Sequence, residues 1–307
     1  MITFKSLSRK PNHFYRMTGL TISEFNELLD KFQSVWQEFV YKEFLSKDRK
    51  RKYGGGRHAR LLSLEDKLLF ILVYTRIYPL MFVCGLMFGF EDSRVCNWVH
   101  RLLPLLDKTM EFTHSKPKRR SGRNLEEILE EFPELREYGI TLDGVERKRR
   151  RPKDSKQQKE YYSGKKKTHT KKNIIIVHPQ DTRILYLSET KGGRVHDKRC
   201  LDEEYLHCND PTFTCLVDSG FIGAEIGSMK FIHPQKNTKL HKLTDSLKEQ
   251  NRAISSIRVK VEHAIAGAKR NHSVSDTYRN IKNGFDDLLM SVACGLHNFR
   301  AVHRQYA

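Results

Sequence analysis

Three acids in this strongly basic chain stand where an acid needs a reason. Glu262 lies in "SSIRVKVEHAIAGAKR", residues 255–270, among four basic side chains. Asp143 lies in "ITLDGVE" and Asp218 in "CLVDSGF", each after apolar β-type residues and with glycine within the next two positions. Aspartate is disfavoured in strands, and the plain reading of "DG" and "DSG" is turn chemistry. The plain reading of Glu262 is a helix pair with Arg258, worth about a few tenths of a kcal/mol. Brought together, the three would do something different. They would repel one another unless a cation were bound, and all-oxygen donors select Mg²⁺ or Mn²⁺ over zinc. Two such ions roughly 3.5–4 Å apart can deprotonate a water or a 3′-hydroxyl and steady the leaving oxygen of an in-line phosphoryl transfer. No nucleophilic side chain is then required.

The elements around these acids allow such a meeting. On a helix predicted from Thr244 through Arg270, Ile254, Ile257, Val261, Ala264, Ile265 and Ala268 form an apolar stripe roughly 100° wide. Arg258, Glu262 and Lys269 fall along one edge of that stripe. Upstream, "YGITLDGVER", "KNIIIVHP" and "RILYLSE" are β-rich runs, followed by a helix-like "HDKRCLDEEYL", then "TCLVDSGF" and "KFIHP". Three strands, a helix, a strand and a later helix is the order of an RNase H-like α/β domain. Its first and fourth strands are neighbours, so Asp143 and Asp218 would converge with the Glu262 helix packed beside them. Glu146 is expected off the site by strand alternation. Asp197, in "VHDKR", reads as a helix N-cap, with His196 beside it near DNA.

Charge names the class of partner. The chain carries 56 Lys and Arg against 37 Asp and Glu, a net +19, which points to a polyanion, nucleic acid before membrane. Between Arg147 and Lys172 stand 13 basic residues against Asp154 and Glu160, a net +11. Smaller clusters lie at 47–60 and 116–123. One run alone reads as a solvated loop or a localisation signal. Three runs, the largest interleaved with Tyr161, Tyr162 and His169, suit phosphate contact. Arg149, Arg150, Lys165, Lys166, Lys167 and His169 are the predicted DNA contacts there, with Arg258 and Lys269 flanking the acid. The six cysteines include no C-x-x-C pair and read as reduced thiols of a cytosolic protein. Residues 1–20 are polar and basic, unlike a secretory signal. The apolar run at 68–90 is broken by Arg76 and Pro79, so two buried helices explain it better than a membrane span.

The N-terminal third reads as all-α. Thr21 and Glu24 form a capping box for a helix over 22–45, and Gly54, Gly55 and Gly56 break the chain in a basic linker. Ser63 and Asp66 cap a helix over 64–77. After Pro79 come a helix, a tight segment at Gly89–Asp92 and a helix from Ser93, the layout of a helix-turn-helix at about 64–106. Val95, Val99 and Leu102 would face inward. Arg94, Asn97 and Arg101 share the outer face and are types that read base edges or phosphates; a helical packing or dimerisation domain is the alternative. The expected divisions are a helical domain over 1–112, a connector over 113–136 and the α/β domain over 137–307.

With these residues in place, the sequence resembles the DDE transposases of bacterial insertion sequences, in the group similar to the PIF/Harbinger transposases of eukaryotes. The matching segments are "LSLEDKLLFILVYTRIYP", "DGVERKRRRPKDSKQQKEYYSGKKKTHTKKN", "HDKR", "VDSGF" and "SSIRVKVEHAIAGAKR", spanning roughly residues 60–300. The resemblance implies an RNase H-like core with Asp143, Asp218 and Glu262 as a metal-binding triad. It also implies terminal inverted repeats read by the helix-turn-helix. Related transposases carry tyrosine, arginine, glutamate and lysine separated by two, three and six residues; Arg258, Glu262 and Lys269 fit, with Ser255 in place of the tyrosine.

The function expected is a transposase that cuts at its element's ends and joins 3′-hydroxyls to target DNA. Two Mg²⁺ ions per active site are expected, with Mn²⁺ as a substitute. A homodimer, no membrane and no small-molecule substrate complete the expected partners. The expected location is the cytoplasm, on the bacterial nucleoid, or the nucleus for a eukaryotic source. The rival is a catalytically silent, transposase-derived DNA-binding protein or repressor, against which stands the presence of all three acids.

Overall fold

A computed structural model describes residues 1–47, 53, 59–119, 124–235 and 242–305 of the chain. The predicted triple-glycine break, most of the 47–60 basic cluster and residues 120–123 of the second cluster lie outside the described residues. Helices come first: α1 (Phe4–Leu7), α2 (Pro11–Thr18), α3 (Ile22–Val40), a π-helical turn at Tyr41–Leu45, α4 (Leu64–Ile77), α5 (Met81–Phe88) and α6 (Asp92–Phe112). Then follow α7 (Glu126–Glu131), α8 (Leu135–Tyr138), β1 (Ile140–Lys148), α9 (Ser155–Tyr161), β2 (Tyr162–Ser163), β3 (Thr168–Val177), β4 (Ile184–Leu187) and β5 (Lys191–Gly192). The remainder is α10 (Asp197–Asp202), β6 (Thr214–Val217), a 3₁₀ turn at Ser219–Phe221, β7 (Lys230–Ile232), α11 (Asp245–Lys269), α12 (His272–Ser275) and α13 (Phe285–Gln305).

The chain folds into two compact units, one of residues 1–116, 269–276 and 282–307, the other of 117–268 and 277–281. These divisions differ from the expected ones at 112 and 137. The acidic helices α7 and α8 belong with the sheet, since Leu125, Ile128, Leu129 and Leu135 bury into its core. The last helix belongs with the helical unit.

In the helical unit the caps do what their sequence implies. The Thr21 hydroxyl accepts from the Glu24 N–H while the Glu24 carboxylate accepts from the Thr21 N–H. The Ser63 hydroxyl accepts from the Asp66 N–H to start α4. Every residue of α4 from Lys67 to Thr75 is buried, which accounts for its apolar run. Among the described residues no helix is long and apolar enough to cross a membrane. Gly89 ends α5 with φ near 75°, a conformation glycine adopts without strain. Against α6 lies α13, where a Cβ on Gly295 would fall 2.6 Å from Met110 Cγ, so only glycine permits that approach.

The second unit is built on a mixed sheet in the order β2-β3-β1-β6-β7, with β4 and β5 also paired to β3. Pairing is antiparallel between β1 and β3 and between β3 and β4, and parallel between β1 and β6 and between β6 and β7. This is the expected RNase H-like arrangement: the strand of "ITLDG" lies beside the strand of "CLVD". Ile174–Val177 of β3 are fully buried, as in a strand covered on both faces. That strand begins at Thr168, ahead of the predicted "KNIIIV", because Tyr162–Ser163 folds back to pair with it. Within the basic run a helix forms where only charge was legible; the Asp154 carboxylate caps α9 by accepting from the Gln157 N–H at 2.8 Å.

Candidate active site

The two aspartates are brought together by strand register. In the parallel pair, Ile140 stands opposite Cys215, Thr141 opposite Leu216 and Leu142 opposite Val217. One further step along each strand reaches Asp143 and Asp218. Leu142 and Val217 are fully buried, so side-chain alternation turns both acids away from that core. The two strands then diverge in behaviour. β1 runs on, with Asp143 opposite Ile175 of β3, whereas β6 ends and Asp218 opens the 3₁₀ turn. Each acid accepts a nearby glycine N–H, Asp143 from Gly144 at 2.7 Å and Asp218 from Gly220 at 3.2 Å.

Their environments differ in charge. Burial pushes the Asp143 carboxyl up; the Gly144 N–H and the Arg258 charge oppose this, and the charges of Asp218 and Asp197 add to it. Burial also acts upward on Asp218. Hydrogen bonds from Ser219 and Gly220, with the charges of Arg258 and Lys165, outweigh it and hold that carboxyl below its ordinary value. Asp218 is therefore the readily ionised member of the pair and Asp143 the reluctant one. Arg258, from α11, places its guanidinium 3.7 Å from Asp218 Oδ2. Arg258, a predicted DNA contact, is thus half-buried beside one acid of the pair.

A further acid stands here. Asp197 is not the N-cap expected from "VHDKR": the cap is His196, and Asp197 is the first residue of α10. Its carboxylate is turned toward the aspartate pair. A Cβ on Gly144 would lie 3.1 Å from Asp197 Oδ1, and one on Gly220 3.2 Å from Asp197 Oδ2. The buried Lys172 ammonium pairs with Asp197 at 2.8 Å and donates to the Val195 carbonyl at 2.9 Å. Sequence reasoning missed this role for Asp197 and Lys172; the glycine after each site aspartate was its signal.

Glu262 stands apart from the three. The phase of α11 buries Val261, Ala264 and Ala268, which leaves Glu262 exposed. It follows Arg258 by four residues on the same helix face, roughly 6 Å along the axis. Among the described residues no three His, Cys, Asp or Glu side chains are grouped to hold a metal ion. The structure thus brings Asp143 and Asp218 together and sets Glu262 one turn beyond the arginine that reaches them.

The predicted DNA contacts fall into two regions. Around α9 and the β2–β3 turn, the Arg149 guanidinium lies 3.8 Å from the Tyr161 ring centre, and Lys171 lies over both Tyr161 and Tyr278. Arg150, Lys165, Lys166 and Lys167 are exposed. The Lys166 N–H donates to Ser163 Oγ, and Lys167 takes a left-handed φ of 53°, shaping the turn that presents them. His169 meets the Tyr162 ring edge-on at 5.7 Å. Burial, then the charges of Arg151 and Arg149, pulls its imidazole below the ordinary range. Of these residues His169, with Tyr162, lines a cavity of about 960 Å³ that Arg151, Lys159 and Arg194 also border. In the helical unit, Arg94, Asn97 and Arg101 are exposed on α6 while Val95, Val99 and Leu102 are fully buried. Arg101 lies over the Trp98 ring at 5.2 Å and the Phe39 ring at 6.0 Å. Lys269 is half-buried at the last position of α11.

Residues 142–298 match the family described as DDE superfamily endonuclease, and residues 59–112 match the helix-turn-helix of DDE superfamily endonuclease. The second match covers α4, α5 and α6. Over 286 residues the chain is 28% identical to a protein of Microchaete diplosiphon, "Probable transposase for insertion sequence element IS702", covering 93% of each chain. No solved structure matches significantly.

Proposed function

Because the chain belongs to the DDE superfamily of endonucleases, we propose that it is the transposase of an insertion sequence, cutting DNA at the element's ends and joining the freed 3′-hydroxyls to target DNA. The observation that carries this reading is the adjacent placement of Asp143 and Asp218 on parallel strands. Two neighbouring carboxylates are a donor set for a hard divalent cation. The Arg258 guanidinium 3.7 Å from Asp218 marks the same place as one that attracts positive charge. When bound, two Mg²⁺ ions (or Mn²⁺) supply an activated water or 3′-hydroxyl and neutralise charge on the leaving oxygen.

The chain's own groups do the rest. Asp143 and Asp218 would hold the cations from the sheet, and Glu262, one turn beyond Arg258 on α11, would be the third carboxylate of the set. Arg149, Arg150, Lys165, Lys166, Lys167 and His169 hold the DNA backbone, a sequence-independent role. Arg94, Asn97 and Arg101 on α6 read the terminal repeats. Arg258 balances the site's negative charge, and Lys269 lies at the far end of its helix. Joining two ends needs two active sites, hence a homodimer that works in the cytoplasm on the bacterial nucleoid.

The test is cleavage of a labelled duplex carrying the inverted repeats that flank the gene, with Mg²⁺, with Mn²⁺ and with EDTA. Cutting that requires metal and is lost in Asp218→Asn is the expected result. Tight repeat binding without cutting in any metal would overturn it in favour of a silent DNA-binding protein.

A further inference from the structure

We infer that Asp197 is a positioning residue of the aspartate site, wedged by Lys172 between the residues that follow Asp143 and Asp218. The case begins with two glycines. Neither Gly144 nor Gly220 takes a left-handed φ, so backbone conformation does not demand glycine at either place. Space does. A methyl group at Gly144 would approach Asp197 Oδ1 to 3.1 Å, and one at Gly220 would approach Asp197 Oδ2 to 3.2 Å, both closer than ordinary contact. One carboxylate thus fills the room that two missing side chains leave, with one oxygen against Gly144 inside β1 and the other against Gly220 in the 3₁₀ turn.

The carboxylate cannot retreat. Lys172, only 7% exposed, pairs with Asp197 Oδ1 at 2.8 Å and is itself fixed by the Val195 carbonyl at 2.9 Å. Moving Asp197 would strip a buried ammonium of its counter-charge, an expensive change in a low-dielectric setting. Lys172 sits on β3 directly opposite Glu146 of β1, in the same strand pair that seats Asp143. The wedge therefore ties β1, β3, the 3₁₀ turn after β6 and α10 together where the acids emerge. Asp143 accepts from the next residue, Gly144, and Asp218 from Gly220 two residues on, so fixing the glycines restrains the carboxylates. Outer groups of this kind orient metal ligands and raise their affinity.

This rests on the reading of Asp143 and Asp218 as the pair that holds a divalent cation, and the experiment separates the two claims. The full-length chain without DNA is titrated with Mn²⁺, free ion being followed by electron paramagnetic resonance, and its melting is recorded in EDTA. Asp197→Asn keeps an oxygen for Lys172 but not its counter-charge, so melting in EDTA should fall, and Mn²⁺ affinity, titrated well below the melting temperature, should fall about 10-fold or more. Wild-type affinity in that variant overturns the inference, and a lowered melting point with unchanged affinity does the same, since it describes a purely structural acid. Asp218→Asn is the control. If it too binds Mn²⁺ like wild type, the pair is not the metal site and the failure belongs to that reading. Should Asp197→Asn fail to fold, Gly220→Ala presses the same carboxylate from the other side. About a 10-fold loss of affinity there supports the wedge, and wild-type affinity removes it.

Discussion

Asp143 and Asp218 stand one step beyond Leu142 and Val217, the last paired residues of two parallel neighbouring strands. One strand continues and the other stops, so one acid stays in a ladder while the other is free to cap a turn. This asymmetry explains why burial raises Asp143 while hydrogen bonds and cations lower Asp218. Two carboxylates with separated proton affinities can share one site without both resisting ionisation.

Replacing either with its amide tests their shared role. Asp143→Asn and Asp218→Asn should each reduce strand cleavage by at least roughly 10³-fold, and the double variant should be little worse than either single, as for groups acting as one unit. Binding to the repeat-bearing duplex, followed by gel shift, should persist. Additive losses in the double variant would show that the two act separately.

Glu262 makes a sharper case because it is exposed. A surface acid in a helix pair with Arg258 contributes about a few tenths of a kcal/mol, and here Arg258 reaches Asp218 instead. Glu262→Gln should therefore leave the melting temperature unchanged. Under the proposed three-acid site, cleavage should nonetheless collapse. Robust Mg²⁺-dependent cutting by this variant would remove Glu262 from the triad.

The two arginines of α6 should behave unequally. Arg101 is drawn over Trp98 and Phe39, while Arg94 stands near the helix start, exposed. Arg94→Gln should weaken binding to the terminal repeat, and adding Arg101→Gln should lower the slope of log affinity against log salt by about 1 for each phosphate no longer neutralised. Fluorescence anisotropy over a salt series measures both. An unchanged slope in the double variant would make α6 a packing element.

How much of this was legible in the sequence follows from the kind of signal each feature leaves. Helix starts were readable because a cap is local: Thr21 with Glu24 and Ser63 with Asp66 fix α3 and α4 at the expected residues. The neighbourhood of Asp143 and Asp218 was readable from element order, since few topologies accept three strands, a helix and a strand. Asp197 was misread because an acid before a helix has a local explanation, the N-cap, whereas its partners Lys172, Gly144 and Gly220 are distant in sequence. The allegiance of α13 was hidden for the same reason: its amphipathic face says that it packs, not upon which unit. The helix α9 was masked by its own charge, which swamps any periodicity.

A pH effect should appear in the helical unit. Glu38 of α3 receives Lys108 of α6 at 2.5 Å and Lys42 at 2.8 Å, and these hydrogen bonds bring its carboxyl down to about 2 from an ordinary 4.5. A depressed folded-state pKa adds stability that is fully present above the unfolded value and is lost as pH falls through the folded one. The melting-temperature difference between wild type and Glu38→Gln should hold constant above about pH 5 and shrink toward zero near pH 2. It should be small throughout, because the pair is exposed and screened. A difference that grows on acidification would contradict the assignment.

The lysines of the β2–β3 turn carry the last prediction. Lys165, Lys166 and Lys167 are exposed at the tip of a hairpin whose shape is set by Ser163 and a left-handed Lys167. Long flexible ammonium groups at a turn are suited to phosphates, which position DNA without identifying its sequence. Replacing all three by Gln should therefore weaken binding to the terminal repeat and to unrelated DNA by similar factors, and lower the salt slope for both by up to about 3. The Lys165 charge also acts on Asp218, so its removal should be felt in cleavage beyond the loss in binding, visible as a lower single-turnover rate at saturating protein. If only the repeat loses affinity while unrelated DNA does not, the turn reads bases, and the placement of sequence reading on α6 alone fails.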